Sequence, residues 1–363
     1  MPSSSKWSAV GRLLKNNVCA YDILAVLYVL LAVVLSASGV FKLDFSILIP
    51  SRYDAVFLEL AALYVALDAA AIFAWIRRRP SRTVSARRLH ARIFLARYAS
   101  IGQLIRLFKV LIWLKLVLFT YCEIKQAIPS MNPNLYDAEL MVIDRFLFFG
   151  YDAFDLAVKV FSNPVSSLAM DTLYVLWYIL KPCVLVYFAV LPARREHIHK
   201  RFFLVYFALW IFGGLLAVAF PSMGPVFIYP ETFQNMLKPH ASYLQATLEG
   251  HYFQALMNPE NYKVFVYEGI AAFPSLHVGV VAVFAFFFRE TSKPMGYAMF
   301  LYLLIVECGS VALGWHYAVD GIFATLLAYL FYRISSRIVP NPLPGARGLP
   351  SSKDEGKEGA NPA

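Results

Sequence analysis

Two histidines and an aspartate in the last quarter of the chain have the types and spacing to do chemistry. One stands in Phe273-Pro274-Ser275-Leu276-His277 and the other in Trp315-His316-Tyr317-Ala318-Val319-Asp320, each at the start of an apolar run. His316 and Asp320 are four residues apart, so on a helix their side chains lie one above the other. A carboxylate there can accept the Nδ1 proton of the imidazole, leaving Nε2 free to attack or to take a proton. The same spacing also suits a His–Asp pair packed at a helix end for structure alone. Adding His277 weighs against that plainer reading.

The elements that must position these residues are membrane helices. Sixty per cent of the residues are hydrophobic and the mean hydropathy is +0.59, which leaves too little polar material to coat a soluble globule. Runs near the ~20 residues needed to cross the hydrocarbon lie at 23–41, 54–76, 98–122, 169–191, 202–220, 273–289, 295–313 and 317–335. The expected fold is an all-α polytopic membrane protein of about eight transmembrane helices. Residues 278–288 cross one way, Arg289 to Lys293 turn, and 295–313 cross back, so His277 and His316 return to one face of the bilayer. With the N-terminus inside, the inner segments hold 22 Lys and Arg against 7 in the outer ones. The positive-inside rule then puts both termini in the cytoplasm and the histidines on the periplasmic or luminal side.

Between the spans, the sequence divides into an N-terminal segment (1–22), N-terminal transmembrane helices with a basic inner loop (23–122), a catalytic membrane domain (123–338) and a tail (339–363). Trp7, Val10, Leu13 and Leu14 suit a short helix on the inner surface, and the Pro-, Gly- and charge-rich tail is expected to be disordered. In the second span Glu59 and Asp68 are candidates to pair with Arg106, Lys109 or Lys115. Pro129 and Pro133 argue against helix after the third span. Tyr136 to Phe149 then sets Leu140, Ile143, Phe146, Leu147 and Phe148 against Asp137, Glu139, Asp144 and Arg145, an amphipathic helix on the outer surface. In the fourth span Pro182 predicts a kink, Lys181 pairs with an acid such as Glu307, and Asp171 lies at the depth of the histidines. Pro221-Ser222-Met223-Gly224-Pro225 breaks the helix, and an aromatic-rich outer loop runs on to about residue 270. Four scattered cysteines show neither metal nor disulfide spacing.

Pro-Ser-x-His, followed about 40 residues on by His-x-x-x-Asp at a helix start, resembles the second and third signature blocks of the type 2 phosphatidic acid phosphatase superfamily. Phe-Pro-Ser-Leu-His and His-Tyr-x-x-Asp-Gly are most similar to the branch containing the inositol phosphorylceramide synthases, and the Pro- and Gly-containing turn at 221–225 resembles that branch too. The likeness covers roughly residues 140 to 335. It implies a six-helix-type catalytic core in which His316 attacks phosphorus, Asp320 fixes its tautomer, and His277 protonates the leaving alcohol and deprotonates the acceptor. It implies no metal and no cofactor.

Two departures bear on the reaction. The superfamily's phosphatases carry Lys, six residues and Arg-Pro, and an Arg six before the nucleophilic His. The only Arg-Pro here is Arg79-Pro80 on the inner side, and Ser310 stands at the second place. A charge-assisted bond contributes roughly 1.5–3 kcal/mol, so their loss disfavours a doubly charged phosphomonoester more than a phosphodiester. The expectation is therefore transfer of a phosphoinositol-like headgroup from a glycerophospholipid to a lipid alcohol such as ceramide; hydrolysis of a lipid phosphate is the alternative. Arg145, Lys159, Lys238, Lys263, Lys42, Arg52 and Lys125 are the outer cations that could replace the missing ones. Backbone N–H groups around Gly314 and Trp315 could add to them, and Ser275 either bonds phosphate or caps its helix. Asp171 and Arg145 complete the candidate substrate-binding set. The partners implied are membrane lipids. No basic soluble domain exists for nucleic acid, and a transporter would show repeat symmetry that the chain lacks.

Overall fold

The computed structural model describes residues 18–40, 43, 52–77, 101–192, 195–257 and 269–340. Regular structure among them is entirely helical, as hydrocarbon demands when each backbone group has to be satisfied within its own segment. The chain begins with α1 (Ala20–Ala37), α2 (Arg52–Arg77) and α3 (Ile101–Met131), followed by the short helices α4 (Asp137–Leu147) and α5 (Ala153–Phe161). Next come α6 (Pro164–Val175), α7 (Trp177–Ala189) and α8 (Glu196–Ala219), then single turns α9 (Pro225–Ile228) and α10 (Pro230–Phe233). The last four are α11 (Pro239–Met257), α12 (Leu276–Thr291), α13 (Lys293–Ala312) and α14 (Ala318–Ile338).

Each run expected to span holds a helix among the described residues. Among those residues, five stretches are long and apolar enough to cross a membrane: α1, α6 with α7, α8, α13 and α14. Helices α2 and α3 have the length but carry ionisable side chains along it, and α12 has only 16 residues. This is an all-α polytopic membrane protein.

Helix α8 is the axis. It is buried on all sides from Phe202 to Ile211, as expected of a helix apolar all round, and it packs against α1, α3, α12 and α14. Helix α12 is the second buried element, with Val280 to Ala285 wholly covered. Where α8, α12 and α14 meet stands Gly279: a Cβ there would lie 3.0 Å from Leu209 and 3.2 Å from Ala324. That close approach, two residues past His277, holds the start of α12 against both neighbours.

Several expectations are corrected. Helix continues through Pro129 to Met131, because the proline falls in the last turn and forfeits a single backbone bond. The fourth span is interrupted at Leu176, upstream of Pro182, whose ring crowds the preceding turn. The segment after Pro225, expected as a loop, holds the 19-residue α11. Lys115 pairs with Asp54 at 2.7 Å and Lys109 with Asp22 at 2.9 Å, while Arg106 reaches Glu196 at 3.5 Å. Both carboxyl oxygens of Glu307 lack hydrogen-bond partners, so Glu307 does not neutralise Lys181. The N-terminal surface helix, the basic loop after α2, Lys42, Lys263 and the tail lie outside the described residues.

Asp22 joins α1 to α3: besides Lys109 it accepts Trp113 Nε1 at 2.7 Å and the Cys19 N–H at 2.6 Å. Removing one partner of such a pair leaves the other charge buried, at a cost of about 3 kcal/mol. Asp22→Ala should therefore lower Tm in detergent micelles by several degrees, and Asp22→Asn by less, as measured by thermal unfolding of the purified protein.

Candidate active site

One cavity of about 1260 Å³ carries both His277 and His316 on its wall, together with Lys125, Lys181, Tyr174, Trp177, Tyr178 and His240. His277 is the second residue of α12, and its ring is enclosed by aromatic side chains from the interrupted fourth span. Tyr174 stacks at 5.1 Å, Trp177 lies at 4.0 Å and Tyr178 meets it edge-on at 5.9 Å. Tyr174, Trp177, Tyr178 and Lys181 are spaced i, i+3, i+4 and i+7, one helix face. That stripe was readable in the sequence and was not read as part of the site. His277 Nε2 is buried without a hydrogen-bond partner.

His316 lies not on a helix but in the turn before α14, whose N-cap is Tyr317. Its Nδ1 is 3.4 Å from Asp320 Oδ2, within ion-pair range but outside hydrogen-bond geometry. Asp320 is fully buried; Oδ2 accepts the Tyr317 N–H at 3.1 Å and Oδ1 is unpartnered. Burial holds the His316 imidazole below the usual histidine range; hydrogen bonding to the Ala272 backbone opposes this, and the Lys125 cation adds to it. The ring is therefore neutral near pH 7, as a nucleophile must be.

Two carboxylates that the sequence reading assigned to the water-facing side of an amphipathic helix build this turn. Asp137, Leu140 and Asp144 form the buried face of α4, while Val142, Ile143 and Phe146 are exposed. The helix is thus inverted relative to expectation, because its acids meet unpaired backbone N–H groups. Asp144 accepts the N–H of Ala318 and of Val319, both at 2.8 Å, at the start of α14. Asp137 accepts Gly224 N–H at 2.8 Å and Met223 N–H at 3.0 Å, and the Tyr317 hydroxyl at 3.2 Å. The 221–225 turn that it fixes in turn binds the backbone of Ala272 and Phe273, ahead of His277.

The other candidates fall elsewhere. Arg145, next to Asp144 but about 100° around the helix, forms a bidentate pair with Asp152 at 2.7 and 3.0 Å and is absent from the cavity wall. Gly314 supplies a turn at φ +79, with no space for a Cβ beside Val226 and Phe233, and its N–H goes to Val311. The N–H groups of Trp315 and His316 go to the Ser310 carbonyl. None of these is left for phosphate, since the local turn and the two carboxylates have taken every one. Ser275 makes no cap bond; its N–H donates to the Asp320 carbonyl at 3.2 Å, tying the two histidine segments together, while its buried Oγ has no partner. Asp171 is fully buried beneath the start of α11, where it accepts the N–H groups of His240 and Ala241, both at 2.9 Å.

Residues 138–334, more than half the chain, match the sequence model of a family described as the PAP2 superfamily. The chain belongs to the PAP2 superfamily. No curated protein and no solved structure matches it. Membership makes it an enzyme of the lipid phosphatase and phosphotransferase type. Helices α1 to α3 precede the matched segment, yet α3 places Leu111, Leu114, Lys115, Leu118, Cys122 and Lys125 on the cavity wall.

Two outcomes follow. Asp144→Ala strips two helix N-terminal N–H groups of their acceptor, each charge-assisted bond contributing roughly 1.5–3 kcal/mol. kcat should fall at least about tenfold with KM little changed, and Asp144→Asn, which keeps one accepting oxygen, should be milder. For pH, a depressed His316 keeps its lone pair below the ~6.5 of free imidazole, so the acid limb of kcat/KM from His316 should lie below that value. By the same sign, the unfolded chain protonates first as pH drops below ~6.5, and the stability contributed by neutral His316 declines from there; a pH–rate profile and thermal unfolding against pH check both.

Proposed function

We propose that this enzyme moves a phospho-headgroup, of the phosphoinositol kind, from a glycerophospholipid to a lipid alcohol such as ceramide, through a phosphohistidine at His316. The observation that carries the reading is the single cavity that His277 and His316 share with Lys125 and Lys181. When substrate displaces the Ala272 backbone from the ring and Nδ1 donates to Asp320, Nε2 of His316 forms the bond to phosphorus as the bond to the diacylglycerol oxygen breaks, and His277 gives that oxygen its proton. In the second half His277 takes the proton of the acceptor hydroxyl, the acceptor oxygen bonds phosphorus, and His316 leaves. The two lysines neutralise the phosphodiester. Two cations held on separate helices suit a singly charged diester better than the bidentate arginine that a dianionic monoester favours. The reaction so written is metal- and cofactor-free, because these side chains supply the charge and the proton transfers.

The rest of the wall supports a lipid substrate. Leu111, Leu114, Leu118 and Lys125 follow one face of α3 over about 21 Å at 1.5 Å per residue, with leucines beside the Lys115–Asp54 pair at one end and a cation at the other. The cavity also exceeds the ~300–1,000 Å³ of a small-molecule pocket. In this reading the site opens on the periplasmic or luminal side and both termini are cytoplasmic, as the excess of basic residues in the inner segments requires.

Purified protein in micelles, given phosphatidylinositol labelled in its headgroup phosphate with and without ceramide or diacylglycerol, tests this. Label on the acceptor lipid supports transfer; label as water-soluble inositol phosphate replaces it with hydrolysis. His316→Ala should abolish either activity, and turnover unchanged in that variant removes the mechanism. Lys181→Met and Lys125→Met should each lower kcat/KM by about 10- to 100-fold, the equivalent of one charge-assisted bond.

A further inference from the structure

The reaction uses two imidazoles, and the cavity wall carries a third. His240 lines the same cavity as His277 and His316, with its side chain 54% exposed. Behind it stands Asp171, fully buried, whose Oδ2 lies 2.9 Å from His240 Nδ1 and 2.9 Å from the His240 N–H, while Oδ1 accepts the Ala241 N–H. This His–Asp contact is shorter than the 3.4 Å between His316 and Asp320. Asp171 thereby caps the start of α11 and orients the ring of the histidine it caps.

The tautomer follows from the chemistry of the partner. A carboxylate only accepts, so Nδ1 carries the proton, and in the neutral ring Nε2, on the far side, presents a lone pair. A hydrogen-bond acceptor at that place offers nothing to a phosphodiester, which is itself all acceptor, nor to an acyl chain. It suits a hydroxyl. Tyr243 and Leu244, on the same helix and the same cavity wall, add a hydroxyl and an apolar edge.

We propose that His240, held by Asp171, recognises a hydroxyl of the substrate, either on a polyol headgroup or on the acceptor lipid. The inference rests on the transfer reading only for the choice of lipids. It concerns binding and not turnover, so it stands or falls separately: label released as inositol phosphate would replace transfer by hydrolysis and leave the binding comparison intact.

The test is equilibrium binding in detergent micelles to two matched lipid pairs. Phosphatidylinositol is compared with phosphatidylmethanol, which has the same charge and no free hydroxyl, and ceramide with its 1-deoxy analogue. The wild-type protein should prefer the hydroxylated member of at least one pair by about tenfold, the contribution of one well-placed hydrogen bond. A preference in the first pair assigns His240 to the headgroup, and one in the second assigns it to the acceptor. His240→Ala should reduce that preference to near unity, His240→Gln should retain part of it through its amide oxygen, and Asp171→Asn should weaken it by releasing the ring. Binding of the phosphatidylmethanol and deoxy probes and the Tm of His240→Ala should remain those of the wild type. Two preferences near unity in the wild type, or preferences unchanged by His240→Ala, would overturn the proposal.

Discussion

The site depends on the saturation of one helix start by carboxylates. A helix N-terminus concentrates unpaired N–H groups and partial positive charge, and is by default an anion site. At α14 that capacity is consumed internally: Tyr317 donates to Asp320, and Ala318 and Val319 donate to Asp144. The consequence is double. His316, one residue before the N-cap, is fixed from below by a helix start that cannot fray. The positive charge that a phosphate needs must then come from side chains, and the cavity wall carries Lys125 and Lys181 from two other helices.

This division of labour makes the N-terminal helices part of the chemistry. The superfamily match begins at residue 138, yet Lys125 and the apolar stripe from Leu111 to Leu118 belong to α3, which packs on the central α8. Helix α3 runs unbroken from Ile101 to Met131, so one rigid rod carries both the cation near the histidines and the apolar wall remote from them. The Asp22–Lys109 contact that docks α1 on α3 therefore acts on the site through the position of that rod.

What was legible in the sequence is what hydrocarbon enforces. Apolar runs had to become helices, and the spacing of His277, His316 and Asp320 along those runs carried the resemblance to the superfamily. What was misread depends on partners that a linear pattern does not name. Asp137 and Asp144 look like the wet face of an amphipathic helix, since periodicity assumes that charge faces water; here the charge faces backbone N–H groups and the apolar residues face outward. Arg145, expected as a phosphate-binding cation, points about 100° away from the neighbouring Asp144 and pairs with Asp152 instead. Pairing Lys181 with Glu307 rested on depth alone, and depth does not say which helices are neighbours. The 19 residues of α11 mix Thr, His, Glu and Gly with aromatics, so no period stood out.

The geometry also constrains how two lipids can use one site. In the proposed double displacement His277 gives a proton to the departing oxygen and is restored by the proton of the acceptor hydroxyl, by microscopic reversibility. Among the described residues one imidazole stands in the aromatic enclosure of Tyr174, Trp177 and Tyr178, so in that scheme the acceptor oxygen has to occupy the place the leaving oxygen vacated. The leaving lipid would then move out before the acceptor lipid can align, with the same cavity wall serving both in turn. That requirement favours a ping-pong order over a ternary complex. It also shows what separates transfer from hydrolysis on this scaffold: a lipid hydroxyl guided along an apolar wall reaches phosphorus already oriented, an advantage in effective concentration that water arriving by the same route does not have.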